Sequence, residues 1–216
     1  YWGSKSVKRS YAVARTIAAV EPTTTSASLA TPTVRAGQVA VVKVKVATKR
    51  GVAPAAGEVL ASINGVVVAS QPVAKATNGT LALNLVGISP GSHQVAVKFV
   101  GARYPLPSTA PNQKLVVTAA TTTALAGAAT VGKGAKASLT IQVLGPKGVG
   151  VTTGDVRVFD GAKLITTVSL AKAVGGKIAV SLPVLASGSH QLSASFVGTE
   201  LLEASTSGSH LLKVSK

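Results

Sequence analysis

The chain has 216 residues, 46% hydrophobic and 13% charged, with 22 Gly, 10 Pro and neither Cys nor Met. That length suits one large domain or two small ones, and the missing cysteine excludes a disulfide scaffold, a zinc ribbon, an iron–sulfur cluster and a thiol nucleophile. Lys and Arg number 22 against 6 Asp and Glu, a formal charge of +16, so electrostatics favours anionic partners.

Three His and six carboxylates leave little material for acid–base or metal chemistry. No enzyme is expected, and no catalytic, cofactor-binding or metal-ligating residue is assigned. Lys, Gly, Ser and Thr interrupt every apolar run well short of the roughly 18 residues that span a bilayer, so no transmembrane segment is expected.

The chain opens on Tyr1-Trp2-Gly3 without the charged start, apolar run and small-residue cleavage site of a signal peptide, and reads as an excised or processed piece. Residues 1–20 carry Tyr1, Ser4, Ser6, Tyr11-Ala12-Val13-Ala14 and Ile17 in the order of Tyr104, Ser108 and Leu115-Val116-Val117 further on. They read as a linker or as the last strand of a truncated preceding repeat. The competing reading is a basic amphipathic helix carrying Lys5, Lys8, Arg9 and Arg15.

From Thr23-Thr24-Thr25 onward the chain repeats itself. Gly37, Arg50-Gly51-Val52, Gly57-Glu58-Val59, Leu81/Leu83/Leu85, Gly91-Ser92-His93 and Phe99-Val100-Gly101 recur 97 residues later. Their counterparts are Gly134, Lys147-Gly148-Val149, Gly154-Asp155-Val156, Ile178/Val180/Leu182, Gly188-Ser189-His190 and Phe196-Val197-Gly198. The Thr triplet returns as Thr121-Thr122-Thr123 at an offset of 98, a one-residue slip that a loop can absorb. The repeats are placed at 21–118 and 119–216, joined by short linkers around Ala18–Pro22 and Thr118–Ala120.

Within each copy, apolar residues alternate with polar ones. Ala40, Val42, Val44 and Val46 alternate with Val41, Lys43 and Lys45, and Ala137, Leu139, Ile141 and Val143 alternate with Ser138, Thr140 and Gln142. Val95, Val97 and Phe99 point inward, as do Leu192, Ala194 and Phe196. Asn64-Gly65 and Asp160-Gly161 are hairpin signals, because a type I′ turn needs positive φ at both central residues. About seven short strands in 97 residues predict an all-β chain of two tandem antiparallel immunoglobulin-like β-sandwiches.

The run Gly154-Asp155-Val156-Arg157-Val158-Phe159-Asp160-Gly161, followed by Leu185 through Gly198, resembles bacterial immunoglobulin-like repeat domains of exported proteins, as do the opening Thr triplets. Where the family commonly has Asp after the last glycine and then an aromatic, this chain has Ala102 and Thr199, and keeps the aromatic only as Tyr104. The resemblance implies a secreted or cell-surface location and a role as spacer, adhesin stalk or accessory region of a secreted hydrolase.

Several motifs invite chemistry and fail on inspection. Gly127 through Gly134 nearly spells a phosphate-binding loop, but Gly134 stands where Ser or Thr is required and no helix follows. His93 and His190 occupy equivalent positions and read as strand-start residues bonded to nearby backbone, while His210 is alone. Glu58 and Asp155 are also equivalent, and Glu58, the one carboxylate of residues 23–118, is too little for calcium. Asn78-Gly79-Thr80 fits a glycosylation sequon, although the resemblance argues against its use.

The basic charge remains. Residues 23–118 carry nine basic residues and one acidic residue, with Lys43 and Lys45 on the wet face of a strand and Lys49 and Arg50 in the turn beyond it. These four form a candidate stripe for an anionic cell-envelope polymer or polysaccharide, with affinity falling as salt rises. The alternative is that they only solubilise an all-β surface and blunt its edges. One Trp, three Tyr and three Phe give no platform for specific nucleic-acid recognition. The expectation is a non-catalytic, monomeric rod serving as spacer or adhesin stalk. The alternative is an accessory region of a larger secreted hydrolase whose catalytic domain lies upstream of Tyr1.

Overall fold

The computed structural model describes residues 20–77, 79–101 and 105–216. The expectations for residues 1–19, the Asn78 sequon and Tyr104 lie outside the described residues. In the first half, nine strands follow in order: β1 (Thr23–Leu29), β2 (Thr33–Arg35), β3 (Ala40–Thr48), β4 (Glu58–Ile63), β5 (Val66–Pro72), β6 (Thr80–Leu85), β7 (Gly91–Val100), β8 (Ser108–Thr109) and β9 (Gln113–Thr118). The second half repeats them as β10 (Thr122–Gly127), β11 (Thr130–Val131), β12 (Ser138–Leu144), β13 (Asp155–Asp160), β14 (Lys163–Ser169), β15 (Lys177–Ser181), β16 (Gly188–Phe196), β17 (Ser205–Thr206) and β18 (His210–Val214). Among the described residues no helix is long and apolar enough to cross a membrane.

Each half is a sandwich of two sheets. In the first, β1-β3-β6 face β2-β9-β7-β4-β5, with β8 added to β7; in the second, β10-β12-β15 face β11-β18-β16-β13-β14, with β17 added to β16. The expected seven strands become nine because the opening strand divides and a two-residue strand is added. β1 runs antiparallel to β3 in the small sheet, and after the turn at Ala30–Pro32 the chain crosses to the large sheet, where β2 runs parallel to β9. Pro32 suits that crossing: it offers no N–H to a ladder, and its carbonyl accepts the Val116 N–H.

The slip at the Thr triplet is absorbed in this turn. Leu29 pairs with Val42 and Gly127 with Leu139, yet β2 begins at Thr33 and β11 at Thr130. Three residues link the strands in the first half and two in the second.

Alternation places each core. Val42, Val44, Val59, Val95, Phe99 and Leu115 are fully buried in one cluster, and Ile141, Val143, Val156, Leu192, Phe196 and Leu212 in the other. Each Phe ring sits against a glycine. A Cβ on Gly154 would lie 2.9 Å from the Phe196 ring, and Gly154 takes φ of 87°; both the close approach and the left-handed backbone require glycine. Gly57 stands in the same relation to Phe99.

The Thr triplets latch the opening strand to the two-residue strand. Thr23 and Thr25 Oγ1 each lie 2.7 Å from Ser108 Oγ, and Thr23 also donates to the Leu106 carbonyl at 2.7 Å. A hydroxyl has one proton, so the relay runs Thr25 to Ser108 to Thr23 to Leu106. Thr121, Thr123 and Ser205 repeat it, ending on the Glu203 carbonyl.

One turn departs from its sequence signal. Asn64 and Gly65 both take positive φ, 52° and 80°, as a type I′ centre requires. In the second half, Asp160 pairs with Lys163, so the loop is Gly161-Ala162 and Gly161 alone has positive φ. Asp160 is thus the last strand residue and not a turn centre, which frees its carboxylate for another contact.

Candidate functional site

Three groups of polar residues stand apart from the scaffold. The first is the outer face of β1-β3-β6. Because Val42, Val44 and Val46 point into the core, Lys43 and Lys45 point outward and are exposed. Lys43 lies opposite Ser28 on one side and Ala82 on the other; Lys45 lies opposite Ser26 and Thr80. Together Ser26, Ser28, Lys43, Lys45 and Thr80 line a shallow depression of about 260 Å³. The strands β1, β3 and β6 contain no Asp or Glu.

Lys49 and Arg50, the other two residues of the predicted stripe, lie beyond the end of β3. They border a separate depression of about 400 Å³ with Val20, Glu21 and Pro22. The four cations therefore divide between two neighbouring depressions, and only the second contains a carboxylate.

The repeat supplies an internal comparison. On β12, Thr140 and Gln142 stand where β3 has Lys43 and Lys45, and on β10, Ala126 and Ala124 stand where β1 has Ser28 and Ser26. The second copy lacks both central-strand lysines and both serines, but it is not bare of these groups: Thr140 supplies a hydroxyl, and Lys177 on β15 stands where β6 has Thr80.

The second group is a pairing that residue order did not disclose. His190 Nδ1 lies 2.7 Å from Asp160 Oδ2, and Nε2 lies 2.8 Å from the Ala186 carbonyl. Both partners are acceptors, so the ring donates to both only as the imidazolium, the form this site favours. The Asp160 hydrogen bond, seconded by the Ala186 carbonyl, raises the His190 pKa above its usual value. Asp160 Oδ1 also accepts the Gln191 N–H at 3.1 Å. His93 keeps only the backbone contact, 2.8 Å to the Ser89 carbonyl, because Ile63 occupies the position of Asp160. The strand-start reading of both histidines holds, with Asp160 added to one. The offset of Asp160 from a hairpin glycine was the available signal.

The third group joins the halves. Glu203 Oε1 accepts the Thr118 hydroxyl at 2.8 Å and lies 3.0 Å from Arg35 Nε, while Lys114 Nζ lies 2.7 Å from Glu200 Oε1. Ala119 is buried; its N–H donates to the Leu201 carbonyl, and its carbonyl accepts the Glu203 N–H, both at 2.8 Å. The junction is a two-sided backbone clamp reinforced by side chains. These partners lie too far apart in sequence for spacing to reveal them.

No known protein-family profile and no curated protein sequence matches the chain. Solved structures do. A marsupial T cell receptor is 14% identical over 87% of this chain and 71% of that chain, with a TM-score of 0.51. The Escherichia coli adhesin FdeC is 17% identical over 89% of this chain and 64% of that chain, with a TM-score of 0.49. The Yersinia pseudotuberculosis adhesin InvE is 13% identical over 85% and 58% respectively, with a TM-score of 0.37. The T cell receptor likeness establishes the fold alone: tandem immunoglobulin-like sandwiches.

Proposed function

We propose that this chain is a non-catalytic spacer or adhesin-stalk module, two immunoglobulin-like repeats of an exported bacterial protein. Its first repeat would hold an anionic cell-envelope polymer through Lys43, Lys45, Lys49 and Arg50. The exported bacterial setting rests on the sequence resemblance of the Gly-Asp-Val and Gly-Ser-His runs and the Thr triplets.

The observation that carries the polymer contact is the position of the lysine pair. Lysines that protect a sheet against edge-to-edge association belong on edge strands, whereas β3 is the central strand of its sheet, paired on both sides. Two like charges on one face, two residues apart and with no carboxylate on the three strands, repel each other and stabilise nothing within the fold. An external anion relieves that repulsion.

Co-sedimentation of the purified chain with isolated bacterial cell walls tests the proposal. Binding at low ionic strength, released near 1 M salt where the Debye length falls to about 3 Å, and lost on Lys43→Ala with Lys45→Ala, is the expected result. A chain that stays in the supernatant at low salt overturns it.

A further inference from the structure

We infer that the Lys43–Lys45 face is a site for a linear phosphodiester polymer with short polyol linkers, an inference that rests on the polymer-contact reading above and specifies its ligand. Three features of the face select the ligand class.

Its donors are ammonium groups interleaved with hydroxyls. Lys43 and Lys45 are flanked across the ladder by Ser28 and Ser26, and Thr80 lies beside Lys45. A tetrahedral oxyanion has several oxygens pointing in different directions, and Lys together with Ser and Thr hydroxyls is the set that contacts phosphate oxygens. The arginine fork, which matches carboxylate and phosphate alike, is missing from β1, β3 and β6, so the face offers point charges with hydroxyls between them, the lysine mode of phosphate binding.

Nothing on the face receives a ring. The three strands hold no aromatic residue, so there is no stacking platform for a pyranose or a nucleobase. The ligand is read by its charges, which suits a chain whose linkers are flexible polyols. The cations also lie in line: successive outward residues on a strand are roughly 6.6 Å apart, so Lys43 and Lys45 meet successive anionic groups of a polymer lying along β3.

The comparison between copies then separates site from scaffold. Core positions on β3 and β12 stay apolar in both copies, while Ser26, Ser28, Lys43, Lys45 and Thr80 become Ala124, Ala126, Thr140, Gln142 and Lys177, so the in-line lysine pair flanked by serines is found in the first copy and a single, displaced lysine in the second. Lysines present only for solubility would not need the serines with them.

The test measures binding of the intact chain by biolayer interferometry to poly(glycerol phosphate), to polygalacturonate of matched charge density, to single-stranded DNA and to phosphatidylglycerol vesicles. The phosphodiester polyol is expected to bind about tenfold more tightly than the polycarboxylate, because its tetrahedral oxyanions on a flexible chain can meet a lysine and a neighbouring serine hydroxyl from different directions, whereas a planar carboxylate on a rigid pyranose meets the lysine alone. Ser26→Ala with Ser28→Ala is expected to weaken poly(glycerol phosphate) about three- to tenfold and to leave polygalacturonate unchanged. Lys43→Ala with Lys45→Ala should reduce the slope of log K against log salt by about 1.4–1.8.

A gain of function guards against variants that fail to fold. Ala124→Ser, Ala126→Ser, Thr140→Lys, Gln142→Lys and Lys177→Thr together should create a second equivalent site and double the stoichiometry. Equal affinity for the polycarboxylate, or no effect of the serine variants, overturns the phosphodiester inference and leaves the anionic-polymer reading standing. Tighter binding to DNA or vesicles overturns it in favour of those surfaces. No binding to any polyanion overturns both.

Discussion

Glu203→Ala removes the side chain on which the junction converges, and the contacts predict how the loss divides. The carboxylate is 19% exposed and accepts the Thr118 hydroxyl at 2.8 Å, whereas its other partner, Arg35, is 77% exposed. A hydrogen bond to a partly buried charged acceptor is worth about 1.5–3 kcal/mol; an ion pair with so exposed a guanidinium is worth about 0.2–1 kcal/mol and is screened by salt. After truncation, Thr118 Oγ1 retains only the Val34 carbonyl at 3.4 Å. Two double-mutant cycles by denaturant unfolding, Thr118→Val with Glu203→Ala and Arg35→Ala with Glu203→Ala, should return the larger coupling for threonine. Residual dipolar couplings should show the halves losing their fixed orientation only in part, because the Ala119–Leu201 and Glu203–Ala119 backbone bonds remain. A larger Arg35 coupling, or an unchanged stability in Glu203→Ala, would refute the reasoning.

Gly154→Ala combines a left-handed backbone with a Cβ 2.9 Å from the Phe196 ring, and should destabilise the second half by more than the roughly 1 kcal/mol of the conformational term alone, read as a lowered denaturant midpoint. Ser205→Ala breaks a relay of half-buried hydroxyls while Thr121 keeps the Glu203 carbonyl, and should cost about 0.5–1.5 kcal/mol on the same measurement, the net worth of a hydrogen bond. The folded-state pKa of His190 is raised by Asp160 above the unfolded value of about 6.5, so its stabilisation is fully present below that pH and is lost as pH rises through the folded value. Thermal unfolding of the second-half core should fall between pH 6 and pH 9, and Asp160→Asn should flatten that decline; an unchanged pH profile in the variant would remove Asp160 as its cause.

Much of the fold was legible because it depends on local alternation. Ala40 to Val46 and Ala137 to Val143 show which residues face inward whatever the neighbouring strands are, and the recurrence of Gly57 and Phe99 as Gly154 and Phe196 marks a glycine under a ring in each copy. The division of the opening strand was not legible. Whether the residues after Leu29 stay with β3 or cross to β9 depends on a partner more than 80 positions away. The turn at Gly161 misled for a related reason: Asp-Gly suits a turn centre, but strand register assigned Asp160 to a pair with Lys163. Of the candidate site, outward alternation identified Lys43 and Lys45. Ser26 and Ser28 join them only through the β1–β3 register, which no short motif encodes.

The two copies act as controls for each other, and this sharpens what the polar residues mean. Positions that make the sandwich recur: the alternating core, the hydroxyl relay at Ser108 and Ser205, and the glycine beneath each Phe. Among the positions that differ, three sets bring polar groups together: the lysine–serine face on β1 and β3; the Asp160–His190 pair, replaced by Ile63 beside His93; and the junction, where Arg35 and Lys114 of the first copy correspond to Gly132 and Leu211 of the second. A sandwich stable with either version at each position does not need the polar one for folding. The His190 pair is satisfied within its own half, and the junction set is satisfied between halves. The lysine–serine face has no acidic partner on its own sheet, so of the three sets it is the one that supports the proposal of an anionic ligand.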